Sequence, residues 1–112
     1  MIKDYNKLVR DNIPKIIEEN GSKANTHQVK DREELITLLL DKVIEETNEL
    51  RDAFKNSGEL DVDELIDLEE VLDKLKVESS NNFGEIKAKR DYKAVTKGRF
   101  DMGIVLESVE ED

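Results

Sequence analysis

The sequence predicts an all-α fold built on a helix hairpin. Three observations predict it. Charged residues make up 41% of the chain and hydrophobic ones 37%, with only 4% aromatic. That composition suits helices with aliphatic seams better than a sandwich or barrel, which would be richer in β-branched and aromatic residues. Aliphatic residues recur at helical spacing through two long segments, and the loop joining them is short enough to favour antiparallel packing. At 112 residues the chain reads as one domain, residues 1–112, with no internal repeat or low-complexity linker. This length allows a modest core, part of which can stay uncovered in a single copy.

Taken in order, "LVRDNIPKIIEENG" predicts a short amphipathic helix with Asn12 as N-cap, Pro14 in the first turn and Gly21 just past the end. "SKANTHQVK" is a polar loop. "DREELITLLLDKVIEETNELRDAFKNSG" is the strongest helix, opened by Asp31 and Glu34 in capping-box spacing and closed by Ser57-Gly58. "ELDVDELIDLEEVLDKLKVESS" restarts with Asp61 as N-cap and Glu64 three residues on, and runs to Ser79-Ser80. "FGEIKAKRDYKAVTKG" predicts a fourth, basic helix ending at Gly98. "MGIVLESV" reads as a short strand or an extended arm, followed by a frayed acidic tail at 110–112.

Charge and composition exclude several function classes. A formal net charge of −10 argues against a nucleic-acid polymer as main partner, since phosphate contacts need a basic surface. Without cysteine there are no disulfides, thiolate metal sites or thiol nucleophiles. The polar opening "MIKDYNKLVRDNIP" and the lack of a long apolar run lead to the expectation of a cytoplasmic protein with no membrane partner. No phosphate loop, nucleophile elbow or H-E-x-x-H pattern is present. His27, alone in a polar loop, reads as a surface residue, and Tyr5, Phe83, Tyr92 and Phe100 as core or interface residues.

The acidic positions carry the chemistry. Glutamates crowd helices in any chain this acidic, for solubility and for pairing with lysine one turn away. Helical geometry separates them. With Leu35 at zero, the apolar face of the second helix centres near roughly 60°; Glu46 falls inside it at roughly 20°, Glu49 on its shoulder at roughly 320°, and Glu45 towards solvent near roughly 280°. On the third helix, with Leu60 at zero, Glu64 sits among the aliphatics at roughly 40° and Asp67 on the edge at roughly 340°. Packed face to face, the two helices would gather Glu46, Glu49, Glu64 and Asp67 into one partly buried cluster. Such a cluster is protonated, or met by lysines, or neutralised by a hard divalent cation. Oxygen donors suit Mg²⁺ or Mn²⁺, and Mg²⁺ commonly shares its coordination with substrate phosphates. The structural alternatives are Lys42 reaching over Glu46 or Glu49, and Glu64 engaged as a capping-box residue.

Basic segments supply the complement. Residues 87–99, "KAKRDYKAVTKGR", hold six basic residues against one acid, and Lys3, Lys7, Arg10 and Lys15 form a second patch. Each can simply pair with the acidic helices. Their concentration beside "TKGRF", whose glycine lets a backbone approach a ligand, also fits a triphosphate-binding rim.

Nearly the whole chain resembles the MazG-like, all-α nucleoside triphosphate pyrophosphohydrolases, which include phosphoribosyl-ATP pyrophosphohydrolase-like proteins. "YNKLVRDNIP" resembles the N-terminal signature of one branch, "EETNE" followed by "ELID" an E-E-x-x-E…E-x-x-D metal motif, and "KGRF" a C-terminal basic-glycine-phenylalanine motif. The resemblance implies a MazG-like fold, a helix hairpin of the four-helix-bundle type completed by oligomerisation as a homodimer or homotetramer. It also implies metal-dependent hydrolysis of a nucleoside triphosphate or phosphoribosyl-nucleotide between its α- and β-phosphates. By position, Glu46, Glu49, Glu64 and Asp67 would be Mg²⁺ ligands and catalytic residues. Glu45 matches the first glutamate of the motif but is turned outward on the wheel, and Glu70, one turn beyond Asp67, could hold a water, a lysine or a second ion. Lys7, Arg10, Lys93, Lys97 and Arg99 would neutralise phosphate charge. Two positions depart from the pattern. Asn12 stands where the signature often has a basic residue, and Lys97-Gly98-Arg99-Phe100 where the C-terminal motif often reads R-G-G-F. The side chain and charge added at Arg99 bear on phosphate contacts and substrate preference. The rival expectation is a non-enzymatic acidic helical interaction module on the same scaffold, supported by the heavy surface charge and the altered "TKGRF".

Overall fold

A computed structural model of the chain describes residues 1–111. It contains four helices, α1 (Ile13–Glu19), α2 (Arg32–Ser57), α3 (Val62–Glu78) and α4 (Phe83–Lys97), and no strand among the described residues. Asp112, the end of the expected acidic tail, lies outside them. The chain divides into two compact units, Met1–Glu78 with α1 to α3, and the part from Ser79 onward with α4.

In the first unit, α2 and α3 pack as an antiparallel hairpin. The direction is marked by Arg32 at the start of α2, which donates to the carbonyl of Glu78 at the end of α3. Local chemistry sets the ends of both helices. The Asp31 carboxylate accepts from the Glu34 N–H at 3.1 Å and opens α2. Gly58 closes it at φ +75°, a left-handed conformation that costs a Cβ-free residue little. Asp61 Oδ1 accepts from the N–H groups of Asp63 at 2.9 Å and Glu64 at 3.3 Å, and so opens α3. The core between the helices is thin. Leu39 is the one buried aliphatic among the described residues, flanked by half-buried Leu35, Val43, Leu68, Val71 and Leu75. Leu40, Ile44, Leu65 and Ile66 are exposed, because the apolar arc of each helix is wider than one neighbour can cover.

The short helix α1 forms where expected, with Pro14 in its first turn, but Asn12 adopts helical backbone angles and makes no side-chain cap. Residues 1–10 ahead of it form neither helix nor strand.

In the second unit, the Asn82 side chain accepts from the Glu85 N–H at 2.8 Å and caps α4. Residues 104–111 form neither helix nor strand, so of the two expectations for residues 102–109, a short strand or an extended arm, the strand is not made. Its pattern, with three adjacent aliphatics at Ile104 to Leu106, lacks the alternation that gives a strand one buried face. Tyr5, Phe83, Tyr92 and Phe100 are all exposed rather than core, Phe100 at 98%. No helix among the described residues is long and apolar enough to cross a membrane.

Candidate metal centre

Two helical turns facing each other across the hairpin build the site. On α2, Glu46 and Glu49 lie one turn apart with Glu45 beside them; on α3, Glu64 and Asp67 are likewise one turn apart. Their oxygens form two groups, Glu45, Glu46 and Glu49 in one and Glu46, Glu64 and Asp67 in the other. In each group the oxygens lie within 4.8 Å of one another. Glu46 belongs to both. It is also the one buried charged residue among those described, at 6% exposure.

Three cations meet this cluster. Lys42, on the same helix, reaches Glu45 Oε2 at 3.0 Å and Glu46 Oε1 at 3.5 Å. Lys7 donates to Glu45 Oε1 at 2.7 Å, and Arg10 to Asp67 Oδ1 at 2.7 Å, both from the segment ahead of α1. These partners leave two buried oxygens without a hydrogen bond, Glu46 Oε2 and Glu64 Oε2. A buried carboxylate oxygen without a donor is costly, and most such atoms in folded proteins are satisfied.

The electrostatics divide the cluster accordingly. Burial, followed by the Glu49 carboxyl, pushes the Glu46 carboxyl above its ordinary value. Burial pushes Glu64 up to about 7, reinforced by its hydrogen bond with Glu49 and by the charges of Glu49, Glu46 and Asp67. Glu45 moves the other way, because the Lys7 ammonium donates to its carboxylate. The same bond raises Lys7, and the bond to Asp67 raises Arg10. The site therefore holds an acidic rim already neutralised by cations and an inner pair, Glu46 and Glu64, that lacks a counter-ion at its buried oxygens. Oxygen donors alone, converging from two helices with two unpartnered buried atoms, fit a hard metal ion.

No protein-family model, curated protein or solved structure matches the chain.

The structure brings Glu45 into the cluster although the helical wheel turns it outward. Its side chain is 28% exposed, covered by the N-terminal segment that carries Lys7. Thirty-eight positions separate Lys7 from Glu45, so no local pattern announces the contact. Lys42 reaches Glu45 and Glu46 rather than Glu49, as its three- and four-residue spacing allows. Glu64 gives its backbone N–H to the Asp61 cap while its carboxyl joins the cluster. Glu70 stays exposed outside both carboxylate groups, and its charge acts on Arg10. Lys93, Lys97 and Arg99 belong to the second unit, at the end of α4 and just after it, and are exposed. His27 is exposed too, with Nε2 3.9 Å from Glu34.

Proposed function

We propose that the chain is a Mg²⁺-dependent nucleoside triphosphate pyrophosphohydrolase of the MazG-like kind, with Mn²⁺ able to replace Mg²⁺. Water attacks the α-phosphorus, the bond to the bridging oxygen breaks, and a nucleoside monophosphate and pyrophosphate are released. The substrates are non-standard or excess (d)NTPs, or a phosphoribosyl-nucleotide.

One observation carries this reading: a buried carboxylate shared by two carboxylate groups, with an oxygen that no protein donor satisfies. Glu46, Glu64 and Asp67 offer one set of ion ligands, and Glu45, Glu46 and Glu49 a second. When bound, the ion supplies neutralisation of phosphate charge and a lower pKa for the attacking water. Glu49, the one exposed member of the five, is placed to take the proton from that water at its carboxylate. Lys7 and Arg10 stand beside the carboxylates as cations for the polyphosphate. The exposed aliphatic flanks of α2 and α3 support assembly as a homodimer or homotetramer.

The same aliphatic flanks favour a second reading, a non-enzymatic module that binds a protein partner through them. A pyrophosphate-release assay over a panel of dNTPs separates the two. The parent is expected to turn over at least one nucleotide, and Glu46→Gln and Asp67→Asn to lose activity by roughly two orders of magnitude. Equal activity in parent and variants would remove these carboxylates from the chemistry. Absence of turnover across the panel would favour the interaction module.

A further inference from the structure

The N-terminal segment carries more than spare charge. It has no helix or strand over residues 1–10, and two ion pairs tie it to the hairpin, one to each helix: Lys7 to Glu45 on α2 and Arg10 to Asp67 on α3. Each pair takes an oxygen from a different carboxylate group, so the segment straps across both. Glu45 has neither oxygen free of a cation, since Lys7 holds Oε1 and Lys42 holds Oε2. The buried Glu46 Oε2 and Glu64 Oε2, which have no hydrogen-bond partner, point to a further positive charge at the same place.

A divalent ion and the two side chains cannot share these oxygens without strong repulsion between like charges. Exposure decides which cation yields. Lys42 is 18% exposed and fixed on α2, whereas Lys7 and Arg10 are 41% and 53% exposed on a segment without regular structure. Exposed ion pairs contribute little net stability and are readily exchanged. The backbone is suited to such movement. Asn6, immediately before Lys7, sits at φ +48°, a left-handed conformation that asparagine tolerates better than most residues and that can be relaxed once the lysine lets go. The freed ammonium and guanidinium are the two groups best adapted to phosphate oxygens, a point charge and a planar fork.

We propose that Lys7 and Arg10 are exchangeable counter-ions, which cede Glu45 and Asp67 to a divalent cation and then close, with their segment, on the phosphates of the incoming nucleotide. This rests on the metal-dependent reading above, and it adds an order: the segment is held without metal, released with metal alone, and held again with metal and polyphosphate.

Two measurements on the full chain test it. The first is Mn²⁺ affinity, read from the free-ion paramagnetic resonance signal, in the parent and in the double variant Lys7→Gln, Arg10→Gln, with helicity checked by circular dichroism. Removal of the competing cations is expected to tighten Mn²⁺ binding by about ten-fold, while binding of inorganic tripolyphosphate in excess Mn²⁺ weakens by about ten-fold. Unchanged or weaker Mn²⁺ binding in the double variant overturns the exchange, although the metal site itself would stand. Binding of Mn²⁺ by neither chain overturns the metal reading and the exchange together.

The second measurement needs no variant, because trypsin cuts after lysine and arginine. Cleavage after Lys7 and Arg10 in the parent is expected to speed up several-fold with Mn²⁺ and to slow again when tripolyphosphate is added at excess Mn²⁺. Cleavage indifferent to Mn²⁺ overturns the release, and cleavage that stays fast with tripolyphosphate overturns the closure.

Discussion

Glu46 illustrates how a single side chain can be costly for the fold and central to a site. Its carboxylate is buried, half satisfied by Lys42, and pressed by Glu49 and Asp67. Replacing it by glutamine keeps the shape and removes the charge, so Glu46→Gln is expected to raise the melting midpoint of the metal-free protein by a few degrees. On the metal-dependent reading, Mg²⁺ or Mn²⁺ is expected to raise the midpoint of the parent and not that of the variant, which thermal melts with and without the ions would show. Glu64 predicts a pH dependence. Its carboxyl is raised from 4.5 to about 7, so between those values the folded chain binds more protons than the unfolded one. Stability from this group is therefore present below the lower value and is lost as pH rises through the upper one. Metal-free melts at about pH 5 and about pH 8 should differ, with the lower midpoint at the higher pH, and Glu64→Gln should flatten the difference. Glu45, held low by Lys7, contributes in the opposite sense and only in acid. The inward turn of Glu46 was legible in the sequence because it depends only on the spacing of α2's own aliphatics. The partial cover of Glu45 was not, because it comes from a distant segment whose approach no periodicity encodes.

At the scale of the element, the helix ends were legible where they depend on near neighbours. Asp31 and Asp61 make the side-chain bonds that their positions promise. Asp61→Ala removes an acceptor for two N–H groups at the start of α3 and is expected to destabilise the hairpin by about 1 kcal/mol, measured by urea denaturation. An unchanged midpoint would mean that solvent replaces the cap without loss. Asn12 shows where such reading stops. Its residue type suits a cap, but its backbone is already helical, and the cap bond requires an extended one. For residues 102–109 the sequence left strand and arm both open, because a strand needs a partner edge that sequence alone cannot supply.

The whole molecule leaves much of its aliphatic surface uncovered. The hairpin buries Leu39 yet exposes Leu40 at 50% and Ile44 at 61%, one turn apart along α2. A second copy laid along this flank would bury them as a bundle does. Sedimentation of the parent as a dimer or larger is expected, with Leu40→Glu, Ile44→Glu shifting it to monomer. A parent that sediments as a monomer at high concentration would leave the flank to another partner. The all-helical class and the hairpin were readable from composition and period, since both are properties of the chain by itself. What covers the flank depends on a surface the sequence of one copy does not describe.

The two facing pairs, Glu46 with Glu49 and Glu64 with Asp67, depend on how many residues lie between them. One residue inserted into α2 between Glu46 and Glu49, or into α3 between Glu64 and Asp67, would turn the members of that pair apart by about 100° of helix rotation. The polar stretch between α1 and α2 carries no such constraint. In any lineage that keeps this site, insertions and deletions should therefore collect between Gly21 and Lys30 and be purged between Glu46 and Glu49 and between Glu64 and Asp67. The count of residues, more than their identity, is the inherited quantity there.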